Sequence, residues 1–332
     1  MPEVQSGTRM KLLTFHPIFK RALWGGRRLE LVLGKSLGPG DDFAESWEVA
    51  DLPGDSSVFS RCNFTGRTLR EAMATHSREM LGVHADRDRF PLLIKFLDAQ
   101  RRLSVQVHPS KAMAATRPEV TTGKAELWII LQAEPGSRVY TGLKPGVDLE
   151  TLRTAALGEG IEDCLHSYEV APGDVILLLP GTVHALGEGV LLAEVQEPNN
   201  VTYRLSDWGR LDANGQPREL HLDLALEATN FDFGPVGKVT PQLLDSSGQH
   251  ERLVQTPHFT VHRRSGEQTW TVDDDNRMHA LVCLRGTADV RTTDDRCTIR
   301  AGNTLVVPAE RQNAVVTLSA DAVLIDSFLD DQ

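Results

Sequence analysis

The chain has 332 residues, 40% of them in the set AVILMFWYC with 27 glycines besides, a balance that excludes disordered, collagenous and low-complexity classes. Its 35 Lys and Arg against 46 Asp and Glu give a formal charge of −11, and the only basic groupings are short pairs such as Arg101-Arg102 and Arg263-Arg264. Nucleic acid and anionic membrane are therefore not expected partners.

Cys62, Cys164, Cys283 and Cys297 lie far apart without CxxC spacing and read as reduced thiols. The N-terminal residues lack the apolar core of a signal peptide, and no apolar run is long enough to span a bilayer, so the expectation is a soluble, cytoplasmic protein.

Along the chain, Thr68-Leu-Arg-Glu71 has capping-box spacing and predicts a helix that Gly82 can end. Strand-length apolar runs follow at 92–97 and 103–107, and a short helix is expected from Ser110. A strand at 126–131 precedes a helix opening at Asp148 and stopping at Gly158, and strands at 175–179 and 190–195 come next. The less apolar stretch 209–250 reads as a connection, after which strands are expected at 259–263, 279–284 and 304–307. The pattern is that of a mainly β protein of sandwich or barrel type with few helices.

Two segments resemble each other. Pro172-Gly-Asp-Val-Ile-Leu-Leu-Leu-Pro180 and Ala301-Gly-Asn-Thr-Leu-Val-Val-Pro308 each run from a Gly-polar turn through an apolar strand to a proline. His184 stands four residues past the first proline and Gln312 four past the second. This suggests two related β-barrels, one keeping a ligand and one having lost it.

Gln106 and His108 are two apart in a strand pattern, so both side chains leave the same face. Glu126 opens another strand, and His184 follows the Pro180-Gly181 turn. Two imidazoles, a carboxylate and an amide oxygen suit Zn²⁺, with Mn²⁺, Fe²⁺ or Co²⁺ as other candidates. Singly, each position has a plainer reading: a capped turn at His108-Pro109, a solvated strand residue at Glu126. Lys95 would otherwise be a lysine whose stem covers core, and Arg204 a partner for Asp207 or Glu194.

The motifs together resemble class I mannose-6-phosphate isomerases (phosphomannose isomerases) of the cupin superfamily. They are Trp24-Gly-Gly26, Glu45-Ser-Trp-Glu48, Pro91-Leu-Leu-Ile-Lys-Phe-Leu-Asp-Ala99, Leu103-Ser-Val-Gln-Val-His-Pro109, Gly123-Lys-Ala-Glu-Leu-Trp128, Pro180-Gly-Thr-Val-His-Ala-Leu186, Glu194-Val-Gln196 and Thr202-Tyr-Arg-Leu-Ser-Asp-Trp208. They follow the family's order from about residue 14 to near 325, at the length of the short bacterial form without the large helical insertion. The resemblance implies a bicupin, with a metal-binding cupin over 1–235 and a degenerate barrel over 236–332.

It implies one zinc per chain on Gln106, His108, Glu126 and His184, no organic cofactor, and interconversion of mannose 6-phosphate and fructose 6-phosphate. Lys95, Lys124 and Arg204 would lie in the cleft as catalytic residues, with Glu48 beside them. One departure bears on mechanism: where many relatives carry an acid four residues before that arginine, this chain has Asn200. An amide is no general base near neutral pH, so the base stays unassigned among Glu48, Lys124 and a metal-bound water. A monomer or small homo-oligomer is expected. A non-catalytic sugar-phosphate-binding relative and another metal-dependent cupin enzyme remain the alternatives.

Overall fold

The computed structural model describes residues 9–158, 160–211, 215–311 and 313–330. The described residues are mainly β with four short α-helices, and among them no helix is long and apolar enough to cross a membrane. The chain divides into two compact units, one of residues 1–18, 48–91 and 241–332, the other of residues 19–47 and 92–240.

In the second unit a six-stranded sheet runs in the order Val175–Leu178, Glu126–Ala133, Val190–Gln196, Leu93–Ala99, Phe43–Val49, Ile18–Gly26. A five-stranded sheet runs Leu165–Glu169, Arg138–Leu143, His184–Leu186, Val105–Val107, Tyr203–Ser206. Side-chain alternation along these strands separates two cores. Between the sheets, Leu97, Trp128, Ile130, Ile176 and Leu192 meet Val139 and Leu186. On the other face of the five-stranded sheet, Val105, Val107, Tyr203 and Leu205 pack under Leu152 and Ala156 of the helix Leu149–Leu157 and Ala225 and Leu226 of the helix Leu222–Ala228. Because Val105 and Val107 face these helices, Gln106 must face the opposite way, into the space between the sheets.

The first unit pairs a six-stranded sheet (Gln242–Leu243, His250–Gln255, Thr260–Ser265, Val323–Phe328, His279–Arg285, Thr304–Val307) with a four-stranded one (Gln268–Thr271, Val315–Leu318, Thr287–Arg291, Arg296–Arg300). Leu281, Cys283, Leu305 and Leu324 fill the space against Val290, Ile299 and Val316. Its helix Leu69–Leu81 begins as its sequence dictates: Thr68 Oγ1 accepts from Glu71 N at 3.2 Å and the Glu71 carboxylate accepts from Thr68 N at 2.7 Å. It stops at Gly82, whose φ of +59° and closeness to Asn276 O leave no room for a Cβ.

The expected helix at 148–158 forms as Leu149–Leu157, capped by Asp148, and Ser110 precedes a 3₁₀ turn, Lys111–Ala115. The helix Leu222–Ala228 lies in the stretch read as a connection; its seven residues bury Ala225, Leu226 and Ala228 against the sheet, too short a period to stand out in the sequence.

The two matched segments do the same thing in their respective sheets. Gly173 N donates to Ile130 O and Ile130 N to Asp174 O, while Gly302 N donates to Cys283 O and Cys283 N to Asn303 O, all at 2.8–3.0 Å. Both glycines have positive φ, +94° and +84°. Gln312 lies outside the described residues.

Candidate functional site

The space between the two sheets of the second unit holds a cavity of about 350 Å³, in the size range of small-molecule sites. Polar side chains enter it by strand parity. Glu126 and Trp128 come from one strand, Lys95 and Leu97 from the next but one, and Glu194 from the strand between them, opposite both Lys95 and Trp128. From the facing sheet come Gln106 and Arg204, cross-strand partners, and Gln106 is also paired with His184.

At one place three of these strands converge on a buried cluster. His108, Glu126 and His184 are each 1–2% exposed, and their ligating atoms all lie within 4.8 Å of one another. His108 Nε2 is 3.1 Å from Glu126 Oε1, and His184 Nε2 is 3.6 Å from Glu126 Oε2. The far nitrogen of each ring meets a backbone carbonyl, His108 Nδ1 at Val201 O (3.0 Å) and His184 Nδ1 at Thr182 O (2.8 Å). A carbonyl only accepts, so both Nδ1 atoms carry the proton and both Nε2 lone pairs point into the cluster. Beside this cluster stands Gln106, half-buried, its amide Nε2 3.3 Å from His184 Nε2. Burial, and then the Lys124 ammonium, push His108 down to about 3, and burial lowers His184, so both rings are neutral at pH 7. Burial alone would raise Glu126, but Lys124 and His108 hold it well below the usual carboxylate range. Two neutral imidazoles and an ionised carboxylate, all buried, fit a divalent metal ion. Lys124 Nζ, 2.8 Å from Glu126 Oε1 and 3.1 Å from His108 Nε2, shows that these atoms attract a cation.

The family model described as phosphomannose isomerase type I, catalytic domain, matches residues 12–120. A putative mannose-6-phosphate isomerase of Bacillus subtilis, YvyI, is 30% identical over 94% of this chain and 97% of its own length. The mannose-6-phosphate isomerase of Streptococcus mutans is 31% identical over 87% of this chain and 89% of its own. The chain belongs to the type I phosphomannose isomerase family. The crystal structure of the mannose 6-phosphate isomerase from Bacillus subtilis superposes with a TM-score of 0.87 at 29% identity, covering 96% of this chain and 99% of that one.

Within this type I framework, Lys95, Lys124 and Arg204 all line the cavity, as does Asn200. Lys95 is 6% exposed, with Nζ 3.4 Å from both Glu45 and Glu194. Burial opposes its charge, but Glu194 and Glu45 carry it above the ordinary lysine range. Glu194 goes the other way: burial and then the Glu126 charge raise it well above the usual carboxylate value.

Glu48 is buried but is not among the cavity-lining residues. The strand Phe43–Val49 presents Glu45 to the cavity, and three residues on, Glu48 leaves the opposite face. Glu45 is held by Trp47 Nε1 at 2.7 Å. Sequence reasoning also missed Arg218 and Ser104, both in the cavity wall; Ser104 Oγ reaches Gln106 Oε1 at 3.3 Å. Ser104 could have been found from the parity that found Gln106, since the two are two residues apart.

Proposed function

We propose that this chain interconverts D-mannose 6-phosphate and D-fructose 6-phosphate in the cytoplasm, using a zinc ion held by Gln106, His108, Glu126 and His184. The observation that carries the reading is the buried His108–Glu126–His184 cluster, with both Nε2 atoms turned inward, opening onto a cavity lined by Lys95, Lys124 and Arg204.

Moving a carbonyl between C1 and C2 of an open-chain sugar requires loss of a proton beside the carbonyl and stabilisation of the resulting negative charge on oxygen. A bound divalent ion supplies Lewis-acid stabilisation of that charge. The Lys124 ammonium, fixed beside Glu126, adds a preorganised positive charge at the same place. Lys95, braced between Glu45 and Glu194, presents a second ammonium in one orientation. Arg204 offers a guanidinium for the phosphate or a sugar oxygen. Asn200 lines the cavity but cannot take a proton, so proton transfer falls to another group.

The test is a coupled assay of mannose 6-phosphate conversion before and after chelation and zinc restoration, with His108→Ala in parallel. Turnover should vanish with the metal, return with zinc, and be absent from the variant. A folded, zinc-loaded chain that binds the sugar phosphate without turnover would make it a binding protein. Oxygen uptake on an iron-loaded chain would make it a different cupin enzyme.

A further inference from the structure

The isomerase reading leaves open what recognises the phosphate, and the inference here rests on it. Both lysines in the cavity are matched by cavity carboxylates, Lys95 by Glu45 and Glu194, Lys124 by Glu126. The two arginines are not. Arg204 lies on the edge strand Tyr203–Ser206, and its Nη1 donates to the Glu219 carbonyl at 2.7 Å. Its Nε is buried without a hydrogen-bond partner.

Residues 217–221 bring the chain back to this strand. Leu211 bridges Pro217, His221 N donates to Arg204 O at 2.8 Å, and Arg204 N approaches His221 Nδ1 at 3.2 Å. This brings Arg218 to the wall beside Arg204. Asp207 is the buried carboxylate here, and its Oδ1 is shared between Arg218, at 3.3 Å, and Arg210. Glu219 points away, its side chain 84% exposed. Two guanidiniums therefore share one buried carboxylate, with the Arg204 guanidinium close by. Burial, and then the neighbouring Arg218 charge, lower Arg204, the direction expected where like charges stand together in a partly dry site.

We propose that Arg218 is a specificity-determining residue that, with Arg204, clamps the phosphate of the substrate at the edge-strand side of the cavity. A phosphate dianion would supply the missing negative charge and an acceptor for the unpartnered Arg204 Nε. Planar guanidiniums suit tetrahedral oxyanions through paired N–H donors, which a lysine cannot reproduce. The reacting carbons would lie with Lys124 and the buried cluster, so Arg218 should act on binding more than on the chemical step.

The test uses the full-length, zinc-loaded chain, with calorimetric Kd values for mannose 6-phosphate and for inorganic phosphate measured alongside KM and kcat. Arg218→Ala should weaken both ligands and raise KM by about 10- to 100-fold, the scale of one charge-assisted contact. Its kcat should stay within about threefold of wild type, as for loss of uniform binding. Arg218→Lys, which keeps the charge but not the fork, should fall between. Affinities and KM within about twofold of wild type in both variants would overturn the proposal, as would a fall in kcat at unchanged KM. If Arg218→Ala does not fold, Arg218→Gln and Arg218→Lys give the same comparison. A wild-type chain that binds both ligands in an Arg218-dependent way without turnover would refute the isomerase reading alone. Turnover with Arg218-independent binding would refute the clamp alone.

Discussion

Trp128 joins the core to the site, and replacing it separates two quantities that the structure sets. The side chain is 2% exposed and packs among Leu97, Ile130, Ile176, Leu186 and Leu192. Its ring stands edge-on to His184, centroids 5.6 Å apart at 79°. Trp128→Ala should cost about 3–5 kcal/mol for the lost burial and the cavity left behind, of which the edge-on contact with His184 accounts for about 0.5–1.5 kcal/mol. His184 would keep its hydrogen bond to Thr182 O but lose the ring that fixes its tilt. Metal affinity should fall about 10-fold, the low end for a lost supporting contact.

Trp128→Phe is the informative comparison. The indole Nε1 is buried without a partner, so removing it relieves about 1–3 kcal/mol. That offsets most of the packing lost with the smaller ring, and the net change should be under about 1.5 kcal/mol. Urea denaturation gives the stability difference by linear extrapolation, and competition with a zinc chelator gives the affinity. The reasoning fails if alanine and phenylalanine are equally costly, or if alanine leaves both stability and zinc affinity at wild-type values.

Two more outcomes rest on buried charges. Lys124→Met should lower kcat by about 100-fold or more while zinc content stays at one per chain, measured by metal analysis after gel filtration; unchanged turnover would remove Lys124 from the mechanism. In the other unit, His279 lies 3.0 Å from both oxygens of Asp326 and 3.4 Å from Asp275. Burial opposes its charge, yet these carboxylates raise it to about 10. A histidine raised in the folded state contributes stability that is fully present below its unfolded value, near 6.5, and is lost as pH rises through about 10. Asp326→Asn should therefore cost on the order of a few kcal/mol at pH 6, and its deficit relative to wild type should shrink toward pH 10.5 in matched urea titrations. A deficit that does not change with pH would contradict the ion pair.

Much of this was legible because strand parity needs only a one-residue register. Spacing places Gln106 and His108 on one face, and Val105 and Val107, which flank Gln106, pack on the other face as that reading requires. Parity gives no answer at Glu45-Ser-Trp-Glu48, where two carboxylates of opposite parity sit in one motif and nothing local says which face is inward; Glu48 entered the cleft expectation through the resemblance alone. Arg218 was beyond reach for a different reason. Its place depends on a return of the chain to the edge strand, the contact of His221 with Arg204 seventeen residues away, in a stretch without apolar periodicity. The capped helices were readable since their signals are local: Thr68 with Glu71, Asp148 with Thr151.

The repeated turn hydrogen bonds also align the two units residue by residue. With Ile130 matched to Cys283, Glu126 falls on His279, and the strand pairings then put Glu194 on Asp326 and Lys95 on His262. Where the first framework sets a carboxylate that draws in a cation, the second sets an imidazole that is itself the cation, neutralised by its own neighbour. One unit leaves its central positive charge to a bound cation and the other carries its own. The second arrangement needs no metal supply and responds to alkali instead, so metal starvation and high pH should act on different halves of the same chain.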